Sequence, residues 1–243
     1  MNRLLCFGLG LYNIVGAIME SIFHYEYYYL KLYVYLGYML TVATVQPKVN
    51  IPRKFEKRVN KTVVGTAVKV IDKLYENKDY ARFYVLETVA RVPYFSFVSV
   101  LHLYETLGVW RKADYLETHF AQTMNEFHHL LIMEDLGGGD RFVDRFFAQH
   151  VAFAYYWLTC LIYLASPRMA YNLSEQIEEH AYHTYDEFLK QNRTSLVLEK
   201  PPAAAVNYYE NVKNLYDVFT NVRNDEGDHV KTMQECQSEL MEV

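Results

Sequence analysis

A glutamate followed three residues later by a histidine occurs twice in this chain, as Glu126/His129 and as Glu226/His229, and at no other glutamate. Residues three apart lie on one face of an α-helix, so each pair can present a carboxylate and an imidazole to the same metal ion. A single pair of this kind is usually part of a solvated face. Two pairs on well-separated segments are more restrictive, and they favour a common metal site inside a helical bundle.

Two further glutamates are needed, because ferritin-like di-iron bundles combine two such pairs with one glutamate from each of two other helices. Glu87 and Glu178 are the best candidates, since each shares its predicted helical face with mainly apolar or aromatic side chains. Glu105 and Glu117 lie nearer a helix end or on a more polar face, and Glu179 shares its face with polar residues. The predicted metal ligands are Glu87, Glu126, His129, Glu178, Glu226 and His229.

The expected cofactor is a pair of iron ions. Four carboxylates balance the charge of two ferrous ions, and oxygen ligands with two imidazoles suit iron in oxygen chemistry. Manganese is the alternative that the ligand set leaves open. Without a cation, each unpaired buried carboxylate would cost several kcal/mol. His128, beside His129, is interpreted as a non-ligand.

Helical periodicity extends over most of the chain from residue 56 onward, and no convincing alternating pattern of a strand is found. Breaks such as LGGGD at 136–140 and KPPA at 200–203 separate the helices. The predicted fold class is all-α: a ferritin-like four-helix bundle carrying a di-iron site, with additional membrane-associating helices. Helices are predicted near residues 56–77, 79–107, 112–136, 141–166, 168–191 and 205–239.

The sequence divides into two regions. Residues 56–240 are predicted to form a di-iron domain, and the first 50 residues differ from it in composition. Residues 1–50 form an apolar, Tyr-rich extension. Tyrosine is favoured where a surface is half apolar and half wet, as at a membrane interface. We expect the extension to be membrane-associated or a targeting segment, and a wrongly assigned start codon is the third interpretation.

A second apolar segment, residues 146–166, contains no Asp, Glu, Lys or Arg. As a helix it would be about 30 Å long, enough to cross a bilayer. Crossing would put Glu87, Glu126 and His129 on one side and the other three ligands on the opposite side, so a single metal site could not form. We therefore predict that this helix lies along a membrane or packs on a partner. Its expected interfacial residues are Tyr155, Tyr156 and Trp157.

Charge and cysteine content narrow the function classes. The net charge of −5 argues against a nucleic-acid partner, because the sequence does not indicate a basic surface that could bind phosphates. The three cysteines, Cys6, Cys160 and Cys236, are far apart and odd in number. They form neither a disulfide framework nor a metal-binding C-x-x-C motif, which is typical of a reducing compartment.

Several segments resemble the plastid terminal oxidases, the plastoquinol branch of the alternative oxidase family. They include LETVARVPYFSF, NEFHHLLIMEDLGG, EEHAYHTYDEFL and NLYDVFTNVRNDEGDHVKTM. The resemblance covers roughly residues 56–240. It implies a non-haem di-iron enzyme that oxidises two plastoquinols and reduces O₂ to two waters without proton pumping. It also implies a homodimer attached to one face of a membrane by contact with lipid. A thylakoid or other plastid membrane is the expected location, and a cyanobacterial or viral source is compatible.

The resemblance also implies roles for residues near the ligands. Tyr185 matches a tyrosine close to the di-iron centre and is the candidate catalytic residue. Asn125 and Asp225, each just before a ligand glutamate, are candidates for orienting the ligands. The chain departs from the family pattern at Phe127, where methionine is usual, and Gly227 is unusual inside a helix. The positions that match the quinol pocket are Arg82, Leu86, Ala181 and Thr184.

Two other function classes stay open at this point. A di-iron hydroxylase or desaturase acting on a membrane lipid or quinone would use the same ligand set. A non-enzymatic helical scaffold at a membrane would need no iron at all.

Overall fold

The computed structural model describes residues 52–108 and 110–240, and the predictions for residues 1–50 lie outside this range. Its regular secondary structure is entirely helical over the described residues. The helices are α1 (Arg53–Leu74), α2 (Asp79–Thr106), α3 (Ala113–Asp135), α4 (Phe142–Ala165), α5 (Pro167–Leu196), α6 (Ala203–Tyr208) and α7 (Leu215–Glu239).

Four long helices form the bundle. Helix α2 packs along α3, and α5 packs along α7; contacts of α2 with α5 and of α3 with α7 join the two pairs. Helix α4 covers α2 from outside, and α1 covers α5. The predicted all-α four-helix bundle is therefore confirmed.

Two apolar clusters fill the bundle, one on each side of its middle. The first contains Phe83, Tyr185 and Val222, and the second contains Tyr94 and Tyr171 among others. Helices α2 and α7 run from the first cluster to the second, whereas α3 and α5 run the opposite way. On all four helices, the predicted metal ligands lie in the sequence between the residues of the two clusters. The polar groups are thus concentrated in one layer, with apolar packing above and below it.

Two predicted helix boundaries are wrong. The helix expected to stop near residue 191 continues to Leu196, whose side chain is 1% exposed, because the added turn buries apolar surface. The helix expected over 205–239 is two helices, α6 and α7, with a break between them. Asn211 adopts a positive φ of 61° in this break. Asn214 then starts α7, its side chain accepting a 3.0 Å hydrogen bond from the backbone N–H of Asp217.

Helix α4 has a broad exposed apolar face. Trp157 is 56% exposed, but Tyr155 and Tyr156 are only half-exposed, so two of the three expected interfacial side chains lean into the protein. No helix within the described ranges combines the length and hydropathy needed to span a bilayer. The other large exposed side chains of α4 are Phe142, Val143, Phe146, Phe153, Leu158 and Leu161.

Candidate metal centre

Six buried side chains from four helices converge in the middle of the bundle. Glu87 comes from α2, Glu126 and His129 come from α3, Glu178 comes from α5, and Glu226 and His229 come from α7. The histidine of each pair follows its glutamate by three residues, which puts both groups on the inner face of the helix. The structure thus brings together all six residues that the sequence nominated, and their role as ligands is a prediction that the fold permits.

The six side chains form two overlapping groups. One group, the His129 cluster, contains Glu87, Glu126, His129 and Glu226. The other, the His229 cluster, contains Glu126, Glu178, Glu226 and His229. Within each group, one potential ligand atom from every residue lies within 4.8 Å of the others. Glu126 and Glu226 belong to both groups, so each can bridge two cations.

The hydrogen bonding of these residues fits a metal site. Eight of their buried atoms make no hydrogen bond of good geometry: one oxygen each of Glu87 and Glu178, both oxygens of Glu126 and Glu226, and the Nδ1 atoms of the two histidines. The two Nδ1 atoms instead face carboxylate oxygens of the same set, at 2.8 Å for His229 and Glu126 and at 3.3 Å for His129 and Glu226. Buried polar atoms are normally satisfied, because an unpaired one costs free energy. Eight in one layer, all of types that bind iron, indicate that cations complete the site.

Burial and repulsion from neighbouring carboxylates favour the protonated forms of Glu87 and Glu178 in the metal-free site. Burial raises the pKa of Glu87 to about 8, with His129 opposing and Glu126 and Glu226 adding to the shift. Burial also raises the pKa of Glu178 well above its ordinary value, and the charges of Glu126 and Glu226 reinforce this. Two divalent cations would reverse these shifts, because they stabilise the carboxylate forms.

The shared carboxylate of Glu226 and the histidines stabilise one another. Burial alone would raise the pKa of Glu226, but the close approach and charge of His129 and His229 lower it overall. Burial would lower the pKa of His229, but contact with Glu126 and Glu226 raises it to about 9. The metal-free site is therefore compensated by protons, which cations must displace on binding.

The outer nitrogen of His129 is held by a polar network that fixes the orientation of the ring. Its Nε2 atom lies 3.1 Å from Oδ2 of Asp225 and 3.0 Å from the hydroxyl of Tyr209. The Tyr209 hydroxyl and the amide of Asn125 donate to the same Asp225 oxygen, at 2.6 and 3.0 Å. Nδ1 is thereby directed at the carboxylates. Asn125 and Asp225 both belong to this network, and their role in orienting a ligand stays a prediction. Tyr209, in the break before α7, was missed.

Two tyrosines donate hydrogen bonds to Glu87 and Glu178, the two glutamates that belong to only one cluster each. Tyr94 of α2 donates a 2.8 Å hydrogen bond to Glu178 of α5, and Tyr185 of α5 donates to Glu87 of α2. Each tyrosine follows the glutamate of its own helix by seven residues, which is two helical turns. Sequence reasoning identified Tyr185 only through resemblance and did not assign a role to Tyr94. A repeated Glu-x₆-Tyr spacing was the available signal.

The residues rejected as ligands lie outside the site. Glu117 and Glu179 are exposed, and Glu105 is on the last turn of α2. His128 stacks on the ring of Tyr208, with centroids 4.0 Å apart. Adjacent position in the sequence therefore does not bring His128 or Glu179 into the cluster.

The four predicted quinol contacts lie on α2 and α5. Arg82 forms a 2.6 Å ion pair with Asp72, and Leu86 lies one turn further along, partly buried. Ala181 is buried, and Thr184 is buried with its hydroxyl donating to the backbone carbonyl of His180. A surface cavity of about 440 Å³ lies between the start of α2 and the end of α5, but none of these four residues lines it.

The two departures from the family pattern are accommodated locally. Phe127 is half-buried and packs near the ring of His128. A Cβ atom at Gly227 would lie 3.4 Å from the ring of Tyr182, an ordinary contact distance. Neither departure places a side chain among the six buried metal-ligand candidates.

Comparison with known proteins gives a consistent result. The family described as "Alternative oxidase" matches residues 39–238. The chain is 50% identical over 206 residues to "Ubiquinol oxidase 4, chloroplastic/chromoplastic" of Arabidopsis thaliana, covering 76% of this chain and 59% of that protein. It is 32% identical over 163 residues to "Ubiquinol oxidase 2, mitochondrial" of Nicotiana tabacum, covering 65% of this chain and 54% of the relative. The chain thus spans between half and two thirds of the length of these relatives.

Proposed function

This chain belongs to the alternative oxidase family, and on that premise we propose that it is a di-iron quinol oxidase. The reaction oxidises two quinols to quinones and reduces one O₂ to two waters. The observation that carries this proposal is the pair of overlapping buried clusters, in which eight atoms make no hydrogen bond of good geometry. A structural core would have no use for so many unpaired polar atoms in one layer.

The two clusters define which residues would hold each iron. Glu87 and His129 would bind one ion, Glu178 and His229 would bind the other, and Glu126 and Glu226 would bridge them. When bound, the iron ions supply the one-electron redox steps and the affinity for O₂ that protein side chains lack. The surrounding aromatic and aliphatic layers exclude water from the site.

Neighbouring residues position the ligands and exchange protons. Asp225 and Tyr209 fix the ring of His129, which should raise metal affinity. Tyr185 donates a hydrogen bond to Glu87 and lies beside the ring of Phe83, at 4.5 Å between centroids. It is the proposed catalytic residue, because its hydroxyl touches a ligand and can hold or release a proton there.

The quinol is proposed to bind near Arg82, Leu86, Ala181 and Thr184. These residues precede Glu87 and Tyr185 on α2 and α5 by a few positions, so a headgroup there would lie near the His129 cluster. Plastoquinol is the proposed substrate, since the sequence resembles the plastoquinol branch and one relative is named as chloroplastic. A plastid membrane is accordingly the proposed location.

Attachment to lipid and dimer formation are also proposed. The exposed face of α4, with Phe146, Phe153 and Leu161 each more than half exposed, would lie in the headgroup region of a membrane. Flotation with vesicles of plastid lipids tests this: the protein should float, and Phe153→Ser together with Leu161→Ser should weaken flotation. Sedimentation in mild detergent tests the homodimer, and a monomer at micromolar concentration would contradict it.

Oxygen consumption with reduced quinones tests the activity. Iron-loaded protein should consume one O₂ for every two plastoquinol molecules oxidised, in the presence and absence of cyanide, and more slowly with ubiquinol analogues. Quinone and water should be the only products. A hydroxylated or desaturated product would support the hydroxylase or desaturase alternative instead. Protein that binds no iron and consumes no O₂ with quinol would support a non-enzymatic scaffold.

A further inference from the structure

A continuous row of aromatic rings connects the His229 cluster to the surface. The ring of Tyr94 lies 5.3 Å from His229 and 6.3 Å from His119, measured between centroids. His119 lies 5.3 Å from Tyr171 and 6.0 Å from Tyr115, and these two tyrosines lie 6.1 Å apart. The last step, from Tyr115 to Trp110, is 6.0 Å. Trp110 is partly exposed and lies in the connection between α2 and α3.

Every phenol in this row lies within hydrogen-bond distance of a group that can accept its proton, and the hydroxyl of Tyr171 also lies 2.7 Å from that of Tyr163. Tyr94 donates to Glu178 at 2.8 Å, and Tyr115 donates to the carboxylate of Glu239 at 2.8 Å. The hydroxyl of Tyr171 lies 2.9 Å from Nε2 of His119. A phenol can lose an electron at an accessible potential only if its proton leaves at the same time, so the bases make all three rings oxidisable.

His119 is built as a neutral proton acceptor. Its side chain is fully buried, and burial lowers its pKa to about 4, with the hydrogen bond to Gln122 opposing the shift. Nδ1 donates to the side-chain oxygen of Gln122 at 2.9 Å, which leaves Nε2 free to accept from Tyr171.

The tyrosine of the other cluster has different neighbours. Tyr185 is surrounded by Phe83 at 4.5 Å and Phe219 at 6.0 Å, and these rings carry no ionisable group. Phenylalanine is much harder to oxidise than tyrosine or tryptophan. On each side one ring separates the tyrosine from the next oxidisable one: Phe219 lies between Tyr185 and Tyr80, at 6.0 and 6.2 Å, and His119 lies between Tyr94 and Tyr171. The difference is that His119 can accept the proton of the next phenol, whereas Phe219 cannot.

We propose that Tyr94, Tyr171, Tyr115 and Trp110 form a one-electron path that discharges the oxidised metal centre to the surface when no quinol is bound. This inference rests on the proposed oxidase function, which supplies the oxidant. The final electron donor is a small water-soluble reductant of the thiol or ascorbate class that reaches Trp110. The path would protect the site from oxidising its own ligands.

Electrons and protons balance at each step. Tyr94 gives one electron to the oxidised centre and its phenol proton to Glu178, and becomes a neutral radical. Tyr171 gives one electron to Tyr94, which recovers its proton from Glu178, while the proton of Tyr171 moves to His119. Tyr115 repeats the step using Glu239, and His119 returns its proton to Tyr171. Trp110 then gives one electron to Tyr115, which recovers its proton from Glu239. Trp110 loses its N–H proton to solvent and is restored by one electron and one proton from the reductant.

The test uses ferrous-loaded full-length protein mixed with O₂ in the absence of quinol. Rapidly frozen samples should show an electron paramagnetic resonance signal of a tyrosyl radical, which narrows when the protein contains ring-deuterated tyrosine. Peptide mass spectrometry should find Trp110 oxidised, and added ascorbate should prevent this. Zinc-loaded protein, which is redox-inert, should show neither result.

Two variants locate the path. Tyr115→Phe keeps the ring but removes the phenol that contacts both His119 and Tyr171, so oxidation of Trp110 should be lost and the radical should remain on Tyr94 or Tyr171. Trp110→Phe, which keeps an aromatic ring against Tyr104 and Tyr115, should prolong the radical and abolish its quenching by ascorbate. The matched control is Tyr84→Phe, a buried tyrosine of the other apolar cluster, which should leave both signals as in the wild type.

The outcomes separate this inference from the proposed function. Equal oxidation of Trp110 in wild type and Tyr115→Phe, or the absence of any tyrosyl radical while quinol-driven O₂ uptake is normal, would overturn the path alone. Failure of the wild-type iron-loaded protein to oxidise quinol with O₂ would overturn the oxidase function itself.

Discussion

The His129 cluster and the His229 cluster contain the same ligand types and share two glutamates, but their surroundings differ. The outer nitrogen of His129 contacts Asp225 and Tyr209, within a network that continues to Asn125. Among the described residues, the outer nitrogen of His229 makes no comparable hydrogen bond, and its ring packs against Tyr94. One cluster is thus oriented by a polar network, and the other adjoins a row of oxidisable rings.

This difference shows how a nearly symmetrical ligand arrangement can give two unlike metal positions. The reciprocal Tyr94–Glu178 and Tyr185–Glu87 hydrogen bonds preserve the symmetry close to the ligands. The layers beyond them break it, because Tyr185 faces phenylalanines and Tyr94 faces His119. Metal affinity and redox behaviour should therefore differ between the two positions even though the ligands match.

The largest effect is expected from a shared ligand. Glu126→Gln removes the charge that both clusters use, so iron should fall from about two ions per chain to nearly none and quinol oxidation should be lost. Iron analysis after gel filtration and O₂ uptake measure the two results. Glu179→Gln, an exposed glutamate next to a ligand, is the control and should behave as wild type. Retention of both ions in Glu126→Gln would contradict the bridging role.

A smaller effect, confined to one cluster, is expected from the polar network. Asp225→Asn removes the charge that faces His129, and loss of such a partner typically weakens metal affinity by about 10–100-fold. Competition with a chelator should show one weakened and one normal ion. Asp228→Asn, on the same helix but 71% exposed, is the matched control. Equal weakening of both ions would mean that the two clusters are not distinguished by this network.

The pH dependence of the metal-free protein should distinguish proton compensation from metal compensation. The pKa of Glu87 is raised from its ordinary value of 4.5 to about 8 in the folded protein. The unfolded chain therefore loses this proton at lower pH than the folded protein, and the folded protein loses stability as the pH rises from 4.5 to about 8. The raised pKa of His229, about 9, contributes stability below its ordinary value of 6.5 that is lost as pH rises through 9. Both effects make the metal-free protein less stable at pH 9 than at pH 6.

Metal binding should remove that trend, because cations replace the protons and bind more tightly as pH rises. The difference in Tm between iron-loaded and metal-free protein should widen from pH 6 to pH 9, at roughly 2–4 °C for each kcal/mol of linked stability. Calorimetry under anaerobic conditions measures it. A difference that narrows with rising pH would contradict the proton-filled site.

The smallest effect is expected from a substitution that changes protein stability but leaves both clusters unchanged. Gly227→Ala adds a methyl group at an ordinary distance from Tyr182, so it should stabilise the protein by about 1 kcal/mol through helix propensity. Chemical denaturation measures the gain. Gly138→Ala is the contrasting variant: its Cβ would lie 2.3 Å from the backbone oxygen of Tyr80, so it should destabilise. A loss of stability in Gly227→Ala would indicate that the helix needs glycine there.

Much of the site could be predicted because its residues follow helical periodicity. The two Glu-x-x-His pairs needed only their spacing, and Glu87 and Glu178 were distinguished from Glu105, Glu117 and Glu179 by the apolar faces they occupy. The fold followed from the same pattern, and the resemblance to the alternative oxidase family is confirmed by the family match over residues 39–238.

The remaining features depend on contacts between distant segments. Tyr209 lies in an irregular break, and nothing in its local sequence indicates that it would meet His129 eighty residues away. The break between α6 and α7 was missed because the composition around it is typical of a helix, and only Asn211 and Asn214 interrupt that pattern. The row from Tyr94 to Trp110 likewise arises from packing of α2, α3 and α5, so the abundance of tyrosine in the sequence does not reveal it.

Anomalous diffraction at the iron edge from crystals of iron-loaded protein tests the central claim most directly. Two peaks, about 3.5–4 Å apart, are expected in the buried layer. Glu126 and Glu226 should touch both, with Glu87 and His129 on one and Glu178 and His229 on the other. A single peak, or peaks that lie away from these side chains, would contradict the account.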